Sequence, residues 1–140
     1  CMMFKTTKNI TYIEEYRIVN GDLLERIKIA RKIKGLSQIQ LSEISGLDRS
    51  TINEIERNPN HNIKLDTLRK LMTVLDNEIL LDDYCKFIIN QQEVIENLID
   101  KFGKEYLCNT LAVHRSTLER WGSGKYQVKR EVFEKIKCIT

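Results

Sequence analysis

Two short runs of this chain carry side chains whose hydrogen-bonding groups suit the edges of nucleic-acid bases. The first run holds Arg49, Ser50, Asn53 and Glu54, and the second holds Arg115, Ser116, Glu119 and Arg120. Arginine can form two hydrogen bonds with guanine, asparagine can do the same with adenine, and glutamate can accept from the amino group of cytosine. In each run the later pair follows the first by about one helical turn. The pattern therefore predicts two helix ends that contact base edges in the major groove of duplex DNA.

The elements that position these side chains also occur twice. The segment 46–55 returns, loosely rewritten, as 112–121, and Arg-Ser-Thr is identical in both copies. Apolar residues before it repeat with the same offset of 66 residues: Ile29 with Ile95, Ile33 with Ile99, Leu36 with Phe102, and Leu41 with Leu107. Each copy is thus predicted to hold a short helix, a tight turn and a second short helix that begins with Arg-Ser-Thr.

The first copy is predicted to contain four helices. The first begins after Asp22, ends at Gly35, and carries the apolar residues Leu23, Ile27, Ala30 and Ile33. The third begins at Asp48, whose carboxylate is expected to cap it, and ends before Pro59. The fourth is predicted from the helical spacing of Leu65, Leu68, Leu71 or Met72, and Leu75.

The second helix of this copy is marked at both ends. Ser37 and Gln40 fit a capping box, in which each side chain bonds to the other residue's backbone amide. The helix that they open carries the apolar residues Leu41 and Ile44, and Gly46 ends it. This helix is expected to cross the phosphate backbone while the third lies in the groove.

The second half repeats this order after an acidic joint. Residues 76–78 and 82–83 are expected to mark the joint between the halves. An amphipathic helix is then predicted from Ile88 to Phe102, followed by short helices at 104–111 and 114–121. The last helix is predicted from Val128, Val132, Phe133 and Ile136, and Trp121 is expected in the core.

Residues 22–76 resemble the helix-turn-helix domain shared by phage Cro and repressor proteins and the xenobiotic-response-element family of bacterial regulators. The motifs that carry the resemblance are Leu36-Ser37-Gln38, Leu41-Ser42-Glu43, Gly46-Leu47, Arg49-Ser50-Thr51-Ile52, Ile55-Glu56-Arg57 and Leu65-Asp66-Thr67-Leu68. Residues 94–138 resemble a second, more divergent member, chiefly through Ser116–Lys125. This copy departs from the first because Leu111-Ala112 replaces Ser45-Gly46 and no capping box is present.

The resemblance implies a set of DNA-contacting residues in the first copy: Gln38, Arg49, Ser50, Asn53 and Glu54. The equivalent positions of the second copy hold Lys104, Arg115, Ser116, Glu119 and Arg120, and Lys125 flanks the following turn, where it can meet a phosphate. The fold expected is all-α, with two tandem repressor-like helix-turn-helix bundles. The domains expected are an N-terminal arm at 1–21, in which a short strand is allowed, a helix-turn-helix domain at 22–84 and a second helical domain at 85–140.

Composition adds a weak charge signal. The net charge is +3; residues 1–84 hold 13 basic and 13 acidic side chains, and residues 85–140 hold 10 and 7. The four cysteines show no Cys-x-x-Cys spacing, so neither a metal nor a cofactor is expected, and Cys108 and Cys138 are interpreted as small core residues of a cytoplasmic protein. No apolar run is long enough for a membrane span, so no membrane partner is expected.

These observations favour a sequence-specific DNA-binding transcriptional regulator, a repressor of bacterial or phage origin that binds double-stranded DNA. Either the two copies in one chain contact adjacent major-groove segments, or the first copy pairs with that of a second chain across a two-fold axis, and the homodimer is favoured. A second hypothesis is an autoregulatory antitoxin or phage-encoded inhibitor, in which residues 85–140 bind a protein target instead. The divergence of the second copy motivates it. An enzyme is not expected, because the sequence has no Gly-rich phosphate loop and no catalytic Cys/His spacing.

Overall fold

The computed structural model describes residues 21–140, and this part of the chain is all-α, as predicted. Its helices are α1 (Leu23–Ile33), α2 (Gln38–Ser45), α3 (Arg49–Arg57), α4 (Leu65–Met72), α5 (Asn77–Leu80), α6 (Asp83–Ile89), α7 (Gln91–Phe102), α8 (Lys104–Leu111), α9 (Arg115–Gly122) and α10 (Arg130–Ile139). The predicted N-terminal arm and its short strand fall on residues 1–21, of which only Gly21 belongs to the described residues.

The chain divides into two compact units, Cys1–Cys85 and Lys86–Thr140. The structure describes residues 21–85 of the first unit and all of the second. Helices α1 to α5 belong to the first unit and α7 to α10 to the second, while the division falls within α6. Each unit buries apolar side chains of its own.

In the first unit, α1 packs against α3 and α5, and α2 packs against α3. The buried residues of these helices and of α4 include Leu23, Ile27, Ala30, Leu41, Ile52, Ile55, Leu68 and Leu71. Burying an aliphatic side chain of this size contributes about 1.5–3 kcal/mol. Because Ile52 and Ile55 are completely buried, one face of α3 is fixed towards the core and the opposite face is left to solvent.

One apolar residue predicted for α2 does not join this core. Ile44 is 60% exposed, and Ile39 in the same helix is 52% exposed. Leu41 is the buried residue of this eight-residue helix. Ile44 belongs to α2 as the sequence predicted, but the helix buries Leu41 and leaves Ile44 exposed.

The acidic segment that was predicted to join the halves, residues 76–78 and 82–83, is part of the helical structure. Residues 77–80 form α5, and both apolar residues of this helix are buried. Asp82 is buried as well, and its carboxylate accepts hydrogen bonds from the backbone N–H groups of Leu23 (3.0 Å) and Cys85 (2.8 Å). Leu23 begins α1 and Cys85 lies in the first turn of α6, so one side chain serves the N-terminal ends of two helices. Aspartate is both a charged residue and a good cap, and the sequence pattern did not separate these roles.

The helix predicted from Ile88 to Phe102 is interrupted. Helix α6 ends at Ile89 and α7 begins at Gln91. Between them Asn90 leaves helical geometry, with φ −114° and ψ 22°, and its N–H bonds to the carbonyl of Phe87 at 3.0 Å. The apolar spacing continued across this break, so it could not reveal the interruption.

In the second unit, α7 packs against α8 and α9, and α8 also packs against α9 and α10. The buried residues include Ile95, Leu98, Leu107, Leu111, Leu118, Trp121, Val128, Phe133 and Ile136. Trp121 is 5% exposed, which confirms its predicted place in the core. Val128 lies before α10 and not within it, contrary to the prediction.

The second unit repeats some of the helix boundaries of the first. Helix α2 at 38–45 and α8 at 104–111 coincide at the predicted offset of 66 residues, and α3 and α9 both begin at the arginine of Arg-Ser-Thr. After α9 the offset between equivalent residues falls to 65. At this offset the buried residues Ile63, Leu68 and Leu71 correspond to the buried residues Val128, Phe133 and Ile136. The constant offset predicted from the sequence therefore holds for the boundaries of α2 and α8 and for the starts of α3 and α9.

The cysteines differ in exposure. Cys85 is buried, Cys108 is half-buried and Cys138 is exposed. Cys138 is therefore not a core residue, because α10 turns Phe133 and Ile136 inward and places residue 138 on the opposite face. Among residues 21–140, no helix has the length and apolarity to cross a membrane. Within the same range, no three His, Cys, Asp or Glu side chains come together as ligands of a metal ion would.

Candidate nucleic-acid interface

The turn between α2 and α3 is built by residues that were predicted to form it. Ser37 Oγ accepts a hydrogen bond from the Gln40 N–H at 3.1 Å, and Gln40 Oε1 accepts one from the Ser37 N–H at 2.9 Å, so the capping box is present. Gly46 ends α2 with φ +79°, a left-handed conformation that glycine adopts without the steric cost of a Cβ. Arg49 then begins α3 three residues later.

Helix α3 has an apolar face and a polar face. Ile52, Ile55 and Glu56 are buried, Asn53 is half-buried, and Arg49, Ser50 and Glu54 are exposed. The four residues predicted to contact bases therefore have access to solvent, and two of them occupy the first turn of the helix. This is the position from which a recognition helix contacts base edges.

Asp48 occupies the position before α3 but does not cap it through its carboxylate. Its backbone carbonyl accepts from the N–H groups of Thr51 (3.1 Å) and Ile52 (3.2 Å), and its side chain makes no capping hydrogen bond. The predicted carboxylate cap is wrong. Because the side chain of Asp48 is exposed, water solvates the carboxylate, which leaves a negative charge next to Arg49.

A buried ion pair lies behind the start of α2. Arg31 donates from Nε and Nη2 to the two carboxylate oxygens of Glu56, at 2.8 and 2.9 Å. A third donor of Arg31, Nη1, bonds to the carbonyl of Leu36 at 2.9 Å. Gln38 completes the group by donating from Nε2 to Glu56 Oε1 at 3.1 Å. Two-point pairing of this kind is the strong form of a charge-assisted hydrogen bond, and it orients Gln38, the predicted DNA contact of α2.

Glu54 is joined to the loop that follows α3. Asn58 Nδ2 donates to Glu54 Oε2 at 3.2 Å, and Asn58 Oδ1 accepts from the N–H of Asn60 at 3.0 Å. The carboxylate of Glu54 is therefore directed to the C-terminal end of the exposed face of α3. Arg49 is at the opposite end of that face.

The corresponding turn of the second unit has the same backbone form with different residues. Ala112 has φ +57°, and its N–H bonds to the carbonyl of Cys108, as the Gly46 N–H bonds to the carbonyl of Ser42. A residue with a Cβ adopts this left-handed conformation at a cost of roughly 1–2 kcal/mol. At the start of α8, Gly103 takes the place of Ser37 and gives no side-chain cap. The departures seen in the sequence therefore affect local stability without changing the path of the chain.

Two predicted interface cations of the second unit, Lys104 and Arg115, form ion pairs with a third interface residue, Glu119. Glu119 Oε2 lies 3.6 Å from Lys104 Nζ and 3.9 Å from Arg115 Nε. The Arg115 side chain is 70% exposed and that of Glu119 is 53% exposed. Exposed pairs of this kind contribute about 0–1 kcal/mol each to stability. The main effect of the cluster is therefore on the local surface charge. Arg115 lies on the surface, as Arg49 does.

The remaining predicted residues of this unit are also at the surface. Ser116 and Lys125 are exposed, and the guanidinium carbon of Arg120 lies 5.2 Å from the centre of the Tyr126 ring. This geometry is a cation–π contact, worth about 0.5–1 kcal/mol when exposed. Arg120 is therefore directed towards the loop after α9, which also carries Lys125.

That loop is held by a glutamine at the start of α7. Gln91 is buried; its Nε2 donates to the carbonyls of Trp121 (3.1 Å) and Tyr126 (2.7 Å), and its Oε1 accepts from the Val128 N–H (2.9 Å). Gln92 adds a bond from Nε2 to the carbonyl of Ser123 at 2.6 Å. These bonds fix the path of the loop on either side of Lys125.

Sequence reasoning did not identify Glu56 and Gln91 as organising residues. A signal was present in both cases. Glu56 shares a helix face with the buried residues Ile52 and Ile55, and Gln91 stands four positions before the buried Ile95. A buried polar residue on an apolar helix face needs a hydrogen-bond partner inside the protein. The spacing alone could have indicated this need for Glu56 and Gln91, but it could not have identified the partner residues.

Residues 27–80 match the family model described as helix-turn-helix. The matched range covers α2 to α5 and most of α1. The chain thus contains a helix-turn-helix domain, and the resemblance predicted for the first copy is confirmed. The match does not extend into the second unit, whose assignment as a second copy stays a prediction. No curated protein and no solved structure matches the chain.

Proposed function

We propose that this chain is a sequence-specific DNA-binding transcriptional regulator, with residues 22–84 as its first DNA-binding domain. The observation that carries the proposal is the helix-turn-helix match at 27–80, together with the exposure of the polar face of α3. In that face Arg49 and Ser50 stand at the N-terminal end of a helix whose opposite side is anchored in the core.

In the proposed complex, α3 enters the major groove and α2 lies over the phosphate backbone. Arg49 bonds to guanine, Asn53 to adenine, and Glu54 accepts from a cytosine amino group. Ser50 adds a short hydroxyl contact. Gln38, held by Glu56 at 3.1 Å, meets the backbone at the start of α2 and fixes the register of the recognition helix.

We propose a parallel role for residues 85–140. Helix α9 supplies Arg115, Ser116, Glu119 and Arg120, while Lys104 and Lys125 meet phosphates. The support is the shared set of boundaries in α2–α3 and α8–α9 and the matching left-handed turn residues at 46 and 112. Repression by occupying an operator, bacterial or phage origin, and homodimerisation on a two-fold symmetric site complete the proposal.

The test is DNA binding by the full chain. A preferred duplex is selected from a random library, and the affinity of the Arg49→Ala variant for that duplex is compared with that of the unmodified protein. The variant is expected to lose roughly 1–3 kcal/mol of binding free energy and to accept other bases at one position. Arg69→Ala, which removes an exposed arginine of α4 outside the proposed interface, is the matched control. Equal affinities for Arg49→Ala and the unmodified protein would refute the assignment of α3.

A second candidate function concerns the C-terminal half. In this alternative the chain is an autoregulatory antitoxin or phage-encoded inhibitor, whose first unit binds DNA and whose residues 85–140 bind a protein target. Two observations favour it: the family match ends at residue 80, and two cations of the second unit are already paired with Glu119. Isolation of a stoichiometric protein partner whose binding is abolished by Arg115→Ala would establish this alternative.

A further inference from the structure

We infer that Glu119 limits the sequence-independent attraction of the second unit for DNA, by engaging Lys104 and Arg115 when no phosphate is present. This inference rests on the proposed DNA-binding function of the second unit. It gives Glu119 a role other than that of the cytosine acceptor expected from the sequence. In the proposed role, Glu119 sets specificity by lowering the background of non-specific binding.

The first support is geometric. A single oxygen of Glu119 is 3.6 Å from the ammonium group of Lys104 and 3.9 Å from Nε of Arg115. Lys104 begins α8 and Arg115 begins α9, so the packing of these two helices brings both cations to one carboxylate. All three side chains are at least one-third exposed, and a phosphate group can reach the same cations.

The second support is the comparison within the chain. At an offset of 66 residues, the first unit has Gln38 in place of Lys104, and Asn53 in place of Glu119. Arg49 and Arg115 are equivalent. The three positions therefore carry a net charge of +1 in both units, because the additional cation of the second unit is accompanied by an additional carboxylate. The second unit reaches the same local charge through an ion-pair cluster.

The consequence follows from how non-specific binding arises. Contacts between basic side chains and phosphates supply essentially all of the affinity for DNA of arbitrary sequence, and each one adds about 0.9 to the slope of log affinity against log salt. A carboxylate that binds the same cations competes with phosphates and also repels them. Base contacts made by Arg120 or Ser116 are outside this competition, so they account for a larger share of the affinity for a preferred sequence when Glu119 lowers the phosphate contribution.

The experiment compares Glu119→Gln with Glu134→Gln in the full chain. Glu134 pairs with Lys137 at 3.7 Å on α10, so its substitution removes the same charge from a similar surface pair of the same unit, on a helix without proposed DNA contacts. Affinity is measured by fluorescence anisotropy over a range of salt concentrations, on a duplex of random sequence and on the selected duplex. Glu119→Gln is expected to bind the random duplex about two- to fivefold tighter at low salt, with a salt slope steeper by about 0.9. Glu134→Gln is expected to match the unmodified protein.

The outcomes separate this inference from the proposed function. Unchanged or weaker binding of Glu119→Gln to the random duplex overturns the inference, as does a loss confined to the selected duplex, which would identify Glu119 as a base contact. Arg115→Ala is measured alongside. If Arg115→Ala weakens binding while Glu119→Gln does not strengthen it, the inference alone fails. If Arg115→Ala leaves both affinities unchanged, the DNA-binding role of the second unit fails, and the inference fails with it. Far-ultraviolet circular dichroism confirms that each variant is folded.

Discussion

Glu56 is a buried carboxylate that links three helices of the first unit. It is 3% exposed, and it accepts hydrogen bonds from Arg31 at 2.8 and 2.9 Å and from Gln38 at 3.1 Å. A carboxylate in such a place is tolerated only when it is paired, since the desolvation of an unpaired charge costs several kcal/mol. The pair joins α1 to α3 and supports the start of α2, so it links the stability of the domain to the placement of a proposed DNA contact.

Arg31→Ala is therefore expected to destabilise the first unit strongly. Removal of one partner of a buried ion pair typically costs about 3–5 kcal/mol, and here the Glu56 charge remains buried with the neutral amide of Gln38 as a partner in place of the guanidinium. Urea unfolding followed by far-ultraviolet circular dichroism measures the change. The control is Arg57→Ala, since Arg57 is exposed on α3 and its loss is expected to change stability by no more than about 0.5 kcal/mol. Similar midpoints for the two variants would show that the Arg31–Glu56 pair is not important for stability.

At the level of helices, the sequence predicted ends better than it predicted partners. Gly35, Gly46 and the Ser37–Gln40 capping box act on the backbone within a few residues, so their effect is visible locally. The pairing of Gln91 with carbonyls 30 and 35 residues away depends on how the helices pack, which spacing does not encode. The same limit applies to Asp82, whose partner Leu23 is 59 residues away.

The predicted interface residues follow the same division. Arg49 and Arg115 could be placed on helix N-termini from the Arg-Ser-Thr repeat, and the structure has both helices beginning at these residues. The sequence indicated only one of the two ion pairs that Glu119 forms with Lys104 and Arg115. The i,i+4 spacing of Arg115 and Glu119 indicates a pair on one helix, whereas the contribution of Lys104 comes from a neighbouring helix.

The two turns offer a matched test of backbone strain. Gly46 and Ala112 are equivalent and both left-handed, with φ +79° and +57°. A Cβ placed on Gly46 would have no heavy atom within 4 Å, so Gly46→Ala is expected to destabilise through conformation alone, by about 1 kcal/mol. Ala112→Gly is expected to stabilise the second unit because it relieves the strained conformation. The gain is expected to stay below about 1 kcal/mol, because glycine also has greater conformational freedom in the unfolded chain.

Unfolding of the second unit can be followed through its own probe. The chain has one tryptophan, Trp121, and it is buried within α9. Urea titrations of Ala112→Gly are therefore followed by tryptophan fluorescence, and those of Gly46→Ala by circular dichroism. Destabilisation by Ala112→Gly would mean that the Ala112 methyl group contributes contacts that outweigh its strained conformation.

At the scale of the whole molecule, charge is distributed unevenly along the chain. The excess of three basic side chains lies in residues 85–140, while residues 1–84 are balanced. Electrostatic attraction to the phosphate backbone is therefore expected to come mainly from the C-terminal half, and base discrimination from the first unit, where the family match lies. Two units with such different charge would contribute unequally to one DNA-binding event.

The footprint of the full chain on its selected duplex is expected to contain a contribution from each unit. Arg115→Ala removes an exposed cation from the start of α9, and it is expected to remove the protection that the second unit provides, while the protection that the first unit provides remains. Its salt slope is expected to be shallower by about 0.9 if Arg115 meets a phosphate, and unchanged if it contacts a base. Arg49→Ala, measured on the same duplex, is expected to weaken the protection that the first unit provides. Nuclease footprinting at several salt concentrations measures both effects. A full-length footprint that Arg115→Ala leaves intact would assign DNA binding to the first unit alone and leave residues 85–140 free for a protein target.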